Sequence, residues 1–277
     1  MFEQKIYLHP RFHRGPVSSL IFGGFLEHLG RAVYGGVFEP TSKHADKDGF
    51  RLDVLEALES LKMTIMRWPG GNFVSDYHWE DGVGPKKHRP TVRNLAWTSL
   101  ESNQFGTDEF MRLCKKMNWE PMIACNLGTG CPEEARNWVE YCNFDSASRY
   151  AEMRRQNGRV DPYNVKYWCL GNEVDGVWQI GHTSADEYAN LARQLAHMIV
   201  GKYGTTRIEP IFDGSSSPNL ATYAEWDRKV LEEVGKLWKS FEIHKKDNQP
   251  AYISLHRYAE NEEGNSEEYL ATGVSID

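Results

Sequence analysis

The sequence predicts an α/β protein of the (β/α)8 TIM-barrel type, incomplete, with about six βα units laid out in 277 residues. Three observations carry this. Short apolar runs alternate with helical stretches, the pattern of parallel strands joined by crossover helices. Nearly every run ends in a polar cluster: Glu27-His28, Arg67 to Asn72, Asn126, Asn172-Glu173, Asp213 to Ser216 and His256 to Tyr258. Neither a GxGxxG nor a Walker sequence is present to suggest a nucleotide fold. A doubly wound sheet concentrates its functional ends at one switch point, whereas a barrel gathers all of them around one axis. The spread of polar ends favours the barrel.

In chain order, Lys5–Leu8 reads as a short strand ahead of the basic stretch HPRFHRGP, and residues 1–18 as an N-terminal appendage. Residues 19–277 form the partial barrel. Ser19–Glu27 is the first strand, interrupted by Gly23 and Gly24, and a helix near Leu52–Leu61 aligns Leu55, Leu58 and Leu61 on one face. Met63–Met66 is the second strand and runs into RWPGGN. A helix at Thr107–Met117 precedes the third strand, Trp119–Cys125. Pro132–Tyr141 is helical, with Asp145–Arg155 expected to continue it.

Val165–Leu170 is the fourth strand; Val, Tyr and Trp favour it, and a run bounded by turn residues suits a strand buried on both faces. Ser184–Val200 is a helix opened by a Ser/Asp cap pair. Arg207–Phe212 is the fifth strand, Leu220–Trp238 a helix, Lys239–Pro250 a polar surface loop and Tyr252–Leu255 the sixth strand. Only the largely polar AENEEGNSEEYLATGVSID follows Tyr258, whereas two more βα units need roughly 60 residues. The chain is therefore expected to be truncated, leaving open edges on the first and sixth strands.

Composition excludes several classes. Hydrophobic content of 40% and charge of 26% are ordinary for a globular protein, and a net charge of −7 disfavours nucleic acid as a partner. No apolar run is long enough to span a membrane, and the N-terminus lacks the pattern of a signal peptide. The five cysteines are odd in number and include no CxxC pair, which fits reduced thiols and a cytoplasmic location. Cys125, Cys131 and Cys142 match no common zinc spacing, so no metal and no cofactor is expected.

The strand ends offer Glu27, His28, Arg67, Asn72, Trp97, Asn172, Glu173, Asp213, His256 and Tyr258. Carboxylates among aromatics suit glycoside hydrolysis, in which one carboxyl group protonates the leaving oxygen and a second attacks or activates water. Tyr and Trp present flat faces to sugar C–H groups. Each residue also has a plainer role open to it. Arg67 could hold the barrel mouth, His28 and His256 could be core histidines, and Trp68 and Trp168 could be packing residues.

Five stretches, in order, are more specific: GGFLEHLGRAVYGGVFEP, RWPGGNFVSDYHWEDGVGP, WTSLESNQFGTDEFM, CLGNEVDGVWQIGH and ISLHRY. Over nearly its whole length the chain resembles the α-L-arabinofuranosidases of glycoside hydrolase family 51. That resemblance implies a retaining (β/α)8-barrel enzyme with a C-terminal β-sandwich, to which the appendage would belong. It implies removal of terminal L-arabinofuranosyl groups from arabinan, arabinoxylan or oligosaccharides. By the same resemblance Glu173 matches the general acid/base, and Glu27, Asn72 and Asn172 match ligands of the arabinofuranose. Arg67, His256 and Tyr258 match residues around the nucleophile and sugar, and Trp97 and Trp178 match aromatics at the mouth.

An acid of this kind is expected to have a raised pKa, from burial and a neighbouring carboxylate. The family's nucleophile, a Glu ending the seventh strand, is expected beyond Asp277; Glu260, Glu262, Glu263, Glu267 and Glu268 read instead as a solvated acidic loop. The chain alone is then expected to be nearly inactive, and to pair as a homo-oligomer or with a complementing chain that supplies the missing strands. Another barrel glycosidase, such as an endo-β-glycanase, and a non-catalytic sugar-binding fragment are the alternatives.

Overall fold

The computed structural model describes residues 9, 11, 15–200, 208–240 and 252–258. The strand expected at Lys5–Leu8, most of the loop before the sixth strand and the acidic segment after Tyr258 lie outside them.

The strands are β1 (Gly23–Phe25), β2 (Ile65–Trp68), β3 (Val92–Arg93), β4 (Leu100–Glu101), β5 (Glu120–Ala124), β6 (Tyr167–Leu170), β7 (Glu209–Asp213) and β8 (Tyr252–Ser254). Six of them form one sheet in the order β1-β2-β5-β6-β7-β8, every pair parallel. Each parallel strand lies beside its predecessor in the chain, without the reversal of a doubly wound sheet. This is an open portion of a (β/α)8 barrel, as the strand-end pattern predicts.

Alternation along the strands separates two apolar layers. Trp68, Ile123, Trp168, Leu170 and Phe212 belong to the large core shared with the helices, while Ile65, Ala124, Tyr167, Cys169 and Ile211 form a smaller cluster on the opposite face. All residues of β6 and β7 are buried, as expected for strands covered on both faces. Trp68 and Trp168 are fully buried packing residues.

The helices are α1 (Leu52–Glu59), α2 (Thr107–Met117), α3 (Pro132–Asn143), α4 (Arg149–Gln156), α5 (Ala185–Ile199) and α6 (Glu225–Ser240). Pro132 opens α3 at a position where its missing N–H costs nothing. The sequence had α4 continuing α3; instead Phe144 is extended, and Asp145–Ser148 separate the two helices. Asp and Ser side chains compete for backbone groups and favour such breaks. Buried Arg154 closes the corner by donating to the carbonyls of Tyr141 and Phe144. The cap of α5 also differs: Ser184 pairs with Glu187 in a capping box rather than with Asp186.

Other boundaries shift. Ser19–Ile21 is a 3-10 turn rather than strand, and β2 ends at Trp68, which brings Arg67 into the sheet. The antiparallel hairpin β3–β4 was not legible, because its two-residue strands carry no periodic signal.

Candidate active site

A cavity of about 680 Å3 opens at the C-terminal ends of the parallel strands. Glu27, Arg67, Asn72, Trp97, Asn172, Glu173, Trp178, His256 and Tyr258, the nine residues to which the family resemblance gives a role, line it, whereas the strand-end residues His28 and Asp213 do not. The nine are joined there by Phe25, Leu29, Gly71, Leu255 and Arg257, which sequence reasoning missed. Phe25 could have been found: it lies two residues from Glu27, on the same face of the strand and its extension.

Glu173 leaves β6 through a turn in which Gly171 and Glu173 both have positive φ, 104° and 49°. The Glu173 conformation is uncommon for a non-glycine residue and is held from below. Asp213, at the end of β7, accepts the backbone N–H of Val174 at 2.8 Å and that of Glu173. In return Asp175 accepts the N–H of Ser216 at 2.9 Å, so the loops after β6 and β7 are tied twice. The Tyr188 hydroxyl also donates to Leu170 O, at 2.7 Å. Asp213 is therefore a buried support under the cavity, not a mouth residue. Burial pushes its carboxyl up to about 6 despite the bonds from Val174 and the charge of His256.

Glu173 is 6% exposed. His256 Nδ1 lies 2.8 Å from its Oε1, and the Trp178 indole N–H donates to Oε2 at 2.9 Å. Burial pulls the Glu173 pKa up, but the bonds from His256 and Trp178 and the charges of His256 and Arg67 outweigh it. The result lies below the usual carboxylate range, the reverse of the sequence expectation. The physical reason is the neighbours: among the described residues Glu173 faces hydrogen-bond donors and cations, and the carboxylate expected beside it is not one of those residues.

Asn172 joins the two halves of the cavity. Its Oδ1 accepts from Arg67 Nη2 at 2.9 Å, and its Nδ2 faces Asn72 Oδ1 at 3.5 Å. Arg67 also lies over the Phe25 ring, 5.0 Å from its centroid. On the far side Glu27 Oε1 accepts from Phe73 N–H and Trp97 Nε1, both at 3.0 Å. Gly70 allows this approach, since a Cβ there would sit 2.4 Å from Glu27 Cγ. Trp178 and Tyr258 stand at the rim, 48% and 76% exposed. Burial and the charges of Glu173 and Glu27 raise the Tyr258 hydroxyl pKa.

Two other strand-end residues lie elsewhere. His28 is buried in the aromatic core, stacked on Phe73 with 4.5 Å between ring centroids. Asn126 closes its own turn by accepting the Gly128 N–H at 2.9 Å. Among the described residues, no group of three His, Cys, Asp or Glu side chains could hold a metal, and no helix is long and apolar enough to cross a membrane.

The family model described as "Alpha-L-arabinofuranosidase 1 domain" matches residues 57–262. An intracellular exo-α-(1→5)-L-arabinofuranosidase 1 of Bacillus subtilis is 44% identical over 277 residues, all of this chain and 53% of that protein. The α-L-arabinofuranosidase C of Emericella nidulans is 46% identical over 83% of this chain and 44% of its own length. Among solved structures, a family 51 α-L-arabinofuranosidase from Bifidobacterium longum superposes with a TM-score of 0.80 at 40% identity, covering 89% of this chain and 45% of that one. The arabinose complex of a Thermotoga maritima α-L-arabinofuranosidase gives 0.72 at 48% identity, over 77% of this chain and 42% of that one. The chain thus spans about half the length of the curated relatives it matches.

Proposed function

This chain belongs to the family 51 α-L-arabinofuranosidases, and on that premise we propose that its cavity takes the terminal L-arabinofuranosyl group of an arabinan, arabinoxylan or oligosaccharide. The reaction is retaining, exo-acting hydrolysis. Glu173 is the general acid/base; Glu27, Asn72, Asn172, His256 and Tyr258 bind the sugar, Trp97 and Trp178 flank it, and Arg67 orients Asn172. The observation that carries this reading is the convergence of nine residues, from five separate stretches of sequence, on one cavity with Glu173 at its floor.

The two oxygens of Glu173 have separate neighbours, which suits a group that gives a proton and later takes one back. In the described arrangement the ionised form is favoured, which serves the base half of the cycle. Its acid half needs a nearby negative charge to raise the pKa. A retaining site supplies one in the nucleophile, about 5–5.5 Å from the acid. The carboxylates lining the cavity are Glu27 and Glu173, and Glu27 is engaged by Phe73 and Trp97. The nucleophile therefore comes from outside the described residues, on a strand that completes the barrel.

Arabinose release from an aryl α-L-arabinofuranoside and from arabino-oligosaccharides, compared with depolymerisation of β-glucan and xylan, tests the reaction class. In the catalytically complete protein, Glu173→Gln is expected to lower turnover by roughly 10²–10⁴-fold while sugar affinity changes little. Faster cutting of β-glucan or xylan than of arabinosides would overturn the assignment. Among the described residues β1 and β8 are the outer strands of the sheet, which supports a second reading, in which this chain by itself binds sugar without turning it over. Calorimetry run beside the activity assay separates the two.

A further inference from the structure

The hairpin β3–β4 touches two successive residues of the chain after β1. Past Phe25 the strand continues its pairing, with Leu26 N–H on Arg67 O at 2.8 Å and His28 N–H on Pro69 O at 3.2 Å. Alternation then sends Glu27 to the cavity and His28 into the core. From the tip of the hairpin, Trp97 reaches Glu27. From its second strand, Glu101 reaches His28, with Oε2 at 2.7 Å from Nδ1.

The chemistry of this inner contact is well determined. The Trp68 indole N–H can only donate, and it lies 3.0 Å from His28 Nε2. Nε2 is therefore the acceptor, and Nδ1 carries the proton given to Glu101. The Glu101 carboxylate also accepts the Tyr34 hydroxyl and, at 2.6 Å, the Asn103 N–H. Burial opposes its charge, but these donors prevail and hold its pKa below the usual range. A carboxylate that is 4% exposed and accepts three donors is a rigid point of attachment.

We propose that Glu101 is a positioning residue for the sugar site: through His28 it fixes the backbone that aims Glu27 into the cavity. This rests on the reading of Glu27 as a sugar ligand. The outer contact, Trp97 to Glu27, then has a defined target, and the hairpin holds one strand end by both faces.

The test uses the full chain with methyl α-L-arabinofuranoside as probe, followed by calorimetry and by the Trp97 indole N–H resonance. Glu101→Gln places an amide donor where His28 or Tyr34 also donates. It is expected to weaken binding about tenfold and to shift the Trp97 resonance, with the thermal transition still cooperative. Tyr34→Phe, which removes one donor but leaves the His28 contact, should bind within about twofold of the unaltered chain.

Glu101→Gln binding like the unaltered chain while Glu27→Gln loses affinity would overturn the proposal and leave the sugar reading standing. Equal losses in Glu101→Gln and Tyr34→Phe would also overturn it, since the effect would then be general loosening. A Glu27→Gln chain that binds normally, or an unaltered chain that does not bind, would overturn the reading of Glu27 itself. In that case a Trp97 resonance unmoved by Glu101→Gln would exclude the positioning role as well. Should Glu101→Gln fail to fold, Glu101→Asp keeps the charge and retracts the contact; roughly threefold weaker binding is expected, and unchanged binding would refute the role.

Discussion

The two carboxylates of the cavity are held in different ways. Glu173 follows β6, an interior strand paired on both sides and wholly buried. Glu27 follows β1, an edge strand whose Phe25 is exposed. Yet Glu27 has its oxygen fixed by a backbone N–H and an indole, and the next residue is locked beneath a hairpin. Glu173 instead takes one of its two partners, His256, from beyond β8, the other edge, where Tyr252, Leu255 and Tyr258 are exposed. Burial of the strand and fixation of the side chain at its end are therefore separate matters. An edge strand serves a site well when its C-terminal end is covered.

Three changes would sharpen or break this contrast. The largest effect is expected in the interior: Trp168→Ala, deleting a fully buried ring from β6, should cost about 3–5 kcal/mol in urea unfolding. Leu255→Ala, just past β8, should cost less than about 0.5 kcal/mol. Similar losses would mean that the edge is covered as firmly as the interior.

Next is the support under Glu173. The native pKa of Asp213, about 6, lies above its ordinary 3.8, so the native state holds this proton more tightly than the unfolded chain. The contribution is fully present below the ordinary value and is lost as pH rises through about 6. Asp213→Asn should flatten that decline in unfolding experiments between pH 4 and 7. An unaltered slope would place the pH dependence in another group.

The smallest effect concerns the edge-derived partner. His256→Asn removes a hydrogen bond and a charge that hold the Glu173 pKa down, so that pKa should rise, as read from carboxyl 13C titration. A pKa that stayed low would assign the control to Trp178 and Arg67. That would make the Glu173 end of the cavity independent of the β8 edge.

Much of this was legible in residues close together in sequence. A strand ending in Asn172-Glu173 announces a carboxylate at the C-terminal face, because strand placement follows from a local apolar run and its turn residues. Helix α2 matches its expected limits, with Gly106 N–H on the Glu109 carboxylate at one end and left-handed Asn118 at the other. The hairpin β3–β4 escaped notice because its meaning lies in contacts made 70 and 73 residues away, to Glu27 and His28. The assignment of His28 was open for the same reason: only its surroundings distinguish a core histidine from a site residue.

The sequence by itself determined the alternation of strand and helix, the barrel class and most of the polar side chains that line the cavity, Trp178 coming only through the family resemblance. Those depend on periodicity and on which residues end each strand. Tertiary structure alone decided how the inventory is wired: His256 and Trp178 on Glu173, Asp213 beneath it, and Glu101 behind Glu27. It also reversed the expected pKa direction of Glu173. A pKa is set by whichever charges and donors come within a few ångströms, and that proximity is fixed by packing between distant segments, which no local pattern records.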